Sequence, residues 1–249
     1  MGFFKSIFGS DSSSPNTEKT DTTQNAEKTF AEACELQAAA VFPTMMGGDI
    51  DWEAHQNAID LFKQALKQGL SGKNEVWCRF RLGNLLYRKS FQSDYSKISK
   101  EGLHGIPTLS AAVSELEKAI TLDSQQGNLV FSDEEVQADL LKLDVVWGAQ
   151  SSYIKSKSGY DAAINYLMEK VELIRFLKVD LPSLCFSLGM NYAESGRISE
   201  AKIMLGNAQS AEDYSDELDG DDFFYEAAQI AKQDAANNLK YLEVHGQVP

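Results

Sequence analysis

The chain has 249 residues and a formal net charge of −14. Hydrophobic residues make up 43% and charged residues 24%, which is a globular balance with ample chain for a core and excludes a wholly disordered polymer. A surface this acidic repels nucleic acid and anionic membranes, so neither is expected as a partner.

The start, MGFFKSIFGS, has too short an apolar run for a secretory signal. It is read as a small apolar tip of Phe3, Phe4, Ile7 and Phe8 that admits weak contact with a membrane or a partner. Met1-Gly2 with Ser6 formally fits an N-myristoylation pattern, which acts only in a eukaryotic cell. Residues 9–25, GSDSSSPNTEKTDTTQN, bury too little apolar surface to order themselves. Residues 1–25 are therefore expected to be a flexible tail and 26–249 a single helical domain.

From Ala26 onward the pattern is helical. The first helix is expected at 27–42, with Phe30, Cys34 and Ala38 on one face, followed by a Gly-Gly-Asp loop at 47–49. The second, 51–68, repeats Ala54, Ala58, Phe62 and Ala65 and ends near Gly69. A third covers 74–89. The connection SFQSDYSKISKEGLHGIPTLS carries Gly102, Gly105 and Pro107 and no sustained apolar face, so it is expected to be a surface excursion with at most one short helical turn. A fourth helix covers 109–122. Ser132 followed by Glu135 has the spacing of a capping box and opens a fifth at 133–157. The sixth spans 160–178. Pro182 begins the seventh, where its missing N–H is harmless, and Gly196 ends it. An eighth at 199–211, the loop SDELDG and a last helix at 222–243 complete an all-α chain.

No run of 18 apolar residues occurs, so no membrane-crossing helix is expected. Cys34, Cys78 and Cys185 are odd in number and lie far apart inside helical patterns, as buried free thiols do in a reducing compartment such as the cytoplasm. His55, His104 and His245 are scattered with no metal-binding spacing. No nucleophile elbow and no glycine-rich phosphate loop occurs, so no catalytic residue, cofactor or metal is assigned and no enzyme activity is expected. In SDELDGDDFFYE, residues 215–226, Asp219, Gly220 and Glu226 keep a calcium-loop spacing. Ser215, Glu217 and Asp222 break that pattern, and acidic residues ahead of a helix also serve its dipole.

The stretch CFSLGMNYAESGRISEAKIMLGNAQSAED, residues 185–213, places Cys185, Leu188, Gly189 and Tyr192 at the spacing W-x2-L-G-x2-Y, with Cys for Trp. Gly196 closes that helix, and Ala201, Leu205 and Ala208 follow as A-x3-L-x2-A. This resembles the tetratricopeptide repeat (TPR) over its whole length of about 34 residues. Leu82, Gly83 and Leu86 with Ala112, Leu116 and Ala119 repeat it, interrupted by about 17 extra residues relative to the standard unit. Ala58, Phe62 and Ala65 supply another second helix, and Trp147-Gly148 with Ala163 and Leu167 a degenerate unit. The resemblance implies a right-handed superhelix of about four antiparallel helix pairs, closed by the last helix with Phe224, Ala227, Ala228, Ala231 and Leu239 as its cap. It implies a groove lined by the first helix of each pair, and a scaffold or adaptor that binds a protein or peptide. The alternative is a non-catalytic regulatory subunit of an enzyme or of a secretion or assembly complex.

RFRLGNLLYRK, residues 79–89, is the most basic helical stretch. At about 100° per residue, Trp77, Arg81, Asn84 and Arg88 share one narrow stripe, flanked by Phe80 and Tyr87. In the repeat's geometry this is the groove face. Arg81 and Asn84 resemble part of the clamp with which some TPR domains hold a C-terminal carboxylate, since forked donors meet two oxygens. Later helices add only Lys142, Ser183, Ser187 and Met190. The competing reading is that the arginines pair with the chain's own surplus of Asp and Glu.

Overall fold

The computed structural model describes residues 21–45, 48–90, 97–211 and 222–249. The apolar tip, the lipidation pattern and most of the acidic 215–226 stretch lie outside these residues. The described residues hold eleven α-helices, two 3-10 turns and no strand. The helices are α1 (Asp21–Met45), α2 (Trp52–Lys67), α3 (Gly72–Ser90), α4 (Lys97–Glu101), α5 (Pro107–Gln125), α6 (Glu134–Ala138), α7 (Leu140–Ser158), α8 (Tyr160–Ile174), α9 (Pro182–Glu194), α10 (Ile198–Ser210) and α11 (Asp222–His245).

Most boundaries follow local chemistry. The Asp51 carboxylate accepts from the Glu53 and Ala54 N–H groups and opens α2. Pro107 and Pro182 stand in the first turns of α5 and α9. Gly196, at φ +81°, ends α9 in a conformation that costs a residue with a Cβ. Two expectations need correction. The polar run does not extend to residue 25, because α1 already begins at Asp21 and buries Ala26 completely. The Ser132–Glu135 spacing does not open one long helix. Asp133 accepts the Val136 and Gln137 N–H groups through its carbonyl, and a turn at Asp139 divides α6 from α7.

α1 packs on α2, α3 on α5, α7 on α8 and α9 on α10, although α10 shares a larger contact with α11 than α7 does with α8. The first four are the pairs expected from the repeat. Two of them share one contact. A Cβ on Gly83 of α3 would stand 2.5 Å from Leu116 Cγ of α5, and one on Gly189 of α9 would stand 2.9 Å from Leu205 Cγ of α10. The small residue thus admits a leucine of the next helix, one turn beyond the alanine (Ala112 or Ala201) that the sequence had singled out. Trp147-Gly148 behaves differently. Trp147 is fully buried, but Gly148 faces Ser187 and Ser183 of α9 and not its pair partner α8. The last helix, α11, packs on α9 and α10 and also reaches α7. The main core runs from Ala26 to Leu188 and takes in Ala228, while Ala201, Leu205, Ala208, Ala235 and Leu242 form a smaller one between the last three helices.

The described part of the connection between α3 and α5, residues 97–106, is not a surface excursion; residues 91–96 lie outside the described residues. Ile98 and Ile106 are 3% and 2% exposed, and α4 packs on α7. Gly102, at φ +69°, lets the backbone pass the Tyr153 ring, where a Cβ would come within 2.8 Å. The Leu103 N–H donates to Gln150 Oε1 at 2.8 Å. Two isoleucines eight positions apart leave no helical period to read; Ile98 lies on α4, which packs on α7, and Ile106 opens α5 within the main core. Ile98→Val is therefore expected to lower stability by about 0.5–1.5 kcal/mol in urea titration, as at other buried isoleucines. A change of zero returns the segment to the surface.

Candidate functional site

The residues of the basic stripe on α3 have different environments. Trp77 is half-buried, with the Phe80 ring edge-on at 5.7 Å. The Arg81 guanidinium lies 5.5 Å from the Trp77 ring centroid, and its Nη1 donates to Gln37 Oε1 of α1 at 3.1 Å. Arg88 is half-buried and has no hydrogen bond or ion pair among the described residues. Trp77, Arg81 and Arg88 thus keep part of their surface open.

Phe80 and Tyr87 do not flank an open groove: they are 7% and 1% exposed. The Phe80 ring is covered by Phe131, edge-on at 5.6 Å. Asn84 is engaged by the chain itself, donating from Nδ2 to Asp139 Oδ2 at 2.7 Å, while its buried Oδ1 has no partner. The covering segment runs between α5 and α6. The fully buried Asp123 carboxylate accepts the N–H groups of Leu129, Val130 and Phe131 and so fixes its backbone. Val130 and Phe131 are buried at 0% and 1%. Sequence reading missed this cover because VF between a glycine turn and an acidic run carries no period.

The later helices do not complete a carboxylate clamp. Lys142 forms an ion pair with Asp139. The Ser183 N–H donates to Asp144 at 2.8 Å, Ser187 faces Gly148, and Met190 packs into the smaller core. The arginine that pairs internally is Arg79, which bridges Glu75 at 2.8 Å and Glu115 at 2.7 Å. It lines a cleft of about 590 Å³ beside α3, α5 and α8. Across that cleft Glu117 accepts from Lys170 and from Trp147 Nε1, each at 2.8 Å. Its charges answer one another, and in the sequence they read as ordinary solvated helix surface.

His55 is 1% exposed with the Trp52 ring edge-on at 5.1 Å. Burial, then the charges of Arg88 and Lys89, push it down to about 4, so it is neutral at pH 7. The three cysteines are free thiols, each pushed up by burial, so none has the depressed value of a reactive thiolate. Among the described residues no group of three His, Cys, Asp or Glu side chains is placed to hold a metal ion, and no helix is long and apolar enough to cross a membrane. No protein-family model matches the chain, and no curated protein and no solved structure matches it.

Proposed function

We propose that this chain is a TPR-like interaction scaffold, working in the cytoplasm, that binds an acidic protein segment or a C-terminal carboxylate on the α1–α3 face. The repeated glycine–leucine contact of α3 with α5 and of α9 with α10 supports the TPR-like reading. The observation that carries the function is the state of Arg81 and Arg88. In a chain with a formal net charge of −14, neither has a carboxylate partner among the described residues, although neighbouring Arg79 has two. Forked donors left on a half-open face beside a tryptophan suit an incoming carboxylate. In this reading the chain performs no chemistry of its own.

The test is a double variant measured twice. Arg81→Ala with Arg88→Ala is expected to weaken affinity for a partner captured from the native host, each contact contributing about 1.5–3 kcal/mol. The melting temperature should stay unchanged, and binding should weaken as salt rises above about 0.1 M. A lowered melting temperature with unaltered affinity would return both arginines to a structural role.

A further inference from the structure

The α3 face already has an occupant. Between the α5 and α6 helices the chain leaves its helical course, and the N–H groups of residues 129–131 go to the Asp123 carboxylate: Oδ1 takes the Leu129 N–H at 2.9 Å and Oδ2 the Phe131 N–H at 2.8 Å, while the Val130 carbonyl accepts from the Asp133 N–H and the Phe131 carbonyl from Gln137 Nε2. Two adjacent side chains turn inward, Val130 and Phe131, and the second meets Phe80. The next anchor is electrostatic, where Asp139 takes the Asn84 Nδ2 hydrogen. Leu129, Ser132 and Asp133 face outward. The short α6 helix separates this apolar pair from Asp139, so the segment offers two apolar anchors and, one helix further on, a carboxylate, the features that pockets and one polar clamp read in a docked peptide.

The fit is incomplete in a way that points to a ligand. Asn84 Oδ1 is buried without a donor. A side-chain amide that clamps a peptide uses both ends, one toward a carbonyl or carboxylate and one toward an N–H. The resident segment supplies only the first. On either side of Asn84 along the stripe, Arg81 and Arg88 meet no carboxylate among the described residues.

We propose that residues 127–139 are a resident pseudo-ligand of the α3 face. The external partner of that face is an acidic peptide of the same chemistry, two adjacent bulky apolar residues followed by carboxylates, that displaces it. This inference rests on the scaffold reading above and names the partner class for the same face. A binding surface shut in cis has its apparent affinity reduced by the fraction of molecules in which it is open.

The probe is a fluorescently labelled synthetic peptide of residues 127–139, added to the full chain. Phe131→Ala removes the aromatic anchor from the resident copy, and with the helical circular dichroism retained it is expected to bind the probe at least ~10-fold tighter than the unaltered chain. Adding Arg81→Ala and Arg88→Ala to that variant should weaken the probe again. Should Phe131→Ala fail to fold, Asp139→Ala releases the Asn84 end and keeps the apolar anchors. Hydrogen exchange on the unaltered chain supplies a second readout, in which the amides of 129–131 should exchange through an opening that leaves α3 and α5 protected. The proposal is overturned if the folded variants bind the probe no better than the unaltered chain. It is overturned equally if those amides are released only together with α3 and α5. If the probe fails while the double arginine variant still loses its captured partner, the pseudo-ligand falls and the scaffold reading stands.

Discussion

Gly83→Leu is expected to unfold the second helix pair or separate its helices, with a loss of stability beyond the ~1–3 kcal/mol typical of an overpacked core. A single methyl at this position would already stand 2.5 Å from Leu116 Cγ, 2.8 Å from its Cδ2 and 3.3 Å from the Ala112 carbonyl oxygen. Leu116 is 2% exposed and enclosed by the main core, so its side chain has nowhere to go, and the carbonyl belongs to a helix backbone. Milder substitutions give a graded series. Gly83→Ala should be destabilising despite the ~1 kcal/mol that alanine gains over glycine in a helix interior. Gly189→Ala should be affected less, since its nearest side-chain atoms, Leu205 Cγ at 2.9 Å and Cδ2 at 3.0 Å, stand further off, although the Leu205 backbone nitrogen lies at 3.2 Å. Gly206→Ala has nothing within 4 Å and should raise the melting temperature through helix propensity alone. Three alanines of identical chemistry are thus ordered by the space each meets. Equal shifts at positions 83 and 206 in thermal melting would remove close helix contact as the reason for the repeated glycine.

That series also marks how much could be read from the chain. Gly83 and Gly189 were legible because each is one term of a recurring pattern, and a recurring pattern of small and large residues is a statement about helix separation. The two ends of α9 were legible for a similarly local reason: Pro182 and Gly196 act on their own backbone, whereas Pro107, which opens α5, read as part of the connection before it. What failed was non-local. Ile98 sits on α4, which packs on α7 some 40 residues further on, and nothing around it announces that partner. Asn84 lies on the stripe that periodicity assigns to the groove, and Phe80 flanks it. Periodicity says nothing of Phe131 and Asp139, which arrive from a segment without a period and cover them. Trp77 and Arg81 instead meet one another and Gln37 of α1, and with Arg88 they keep part of their surface open.

The second large effect concerns a carboxylate that no local pattern singles out. Asp144 of α7 is fully buried, and it accepts the Ser183 N–H at 2.8 Å and the Leu184 N–H at 2.6 Å. Those groups open α9, whose own cap residue, Leu181, has no side-chain acceptor to offer. Pro182 has no N–H and Cys185 donates to the Leu181 carbonyl, so one carboxylate from another helix completes the first turn. Burial pushes Asp144 up to about 7, against the downward pull of the two backbone donors. In the unfolded chain the same group titrates near 4. Between about pH 4 and pH 7 the folded chain therefore holds a proton that the unfolded chain has lost, and stability falls as pH rises through that interval. The full span is on the order of 4 kcal/mol for a raised value of this size. General repulsion within an acidic chain also weakens with falling pH, so the slope of the unaltered protein is not diagnostic by itself. Asp144→Asn keeps the size and one acceptor, removes the titration and leaves the other charges in place. The urea midpoint of the unaltered chain should rise from pH 8 to pH 5 by more than that of Asp144→Asn, and the difference between the two curves belongs to this one group. Parallel curves would mean that Asp144 stays ionised in the fold, with the helix N-terminus outweighing its burial.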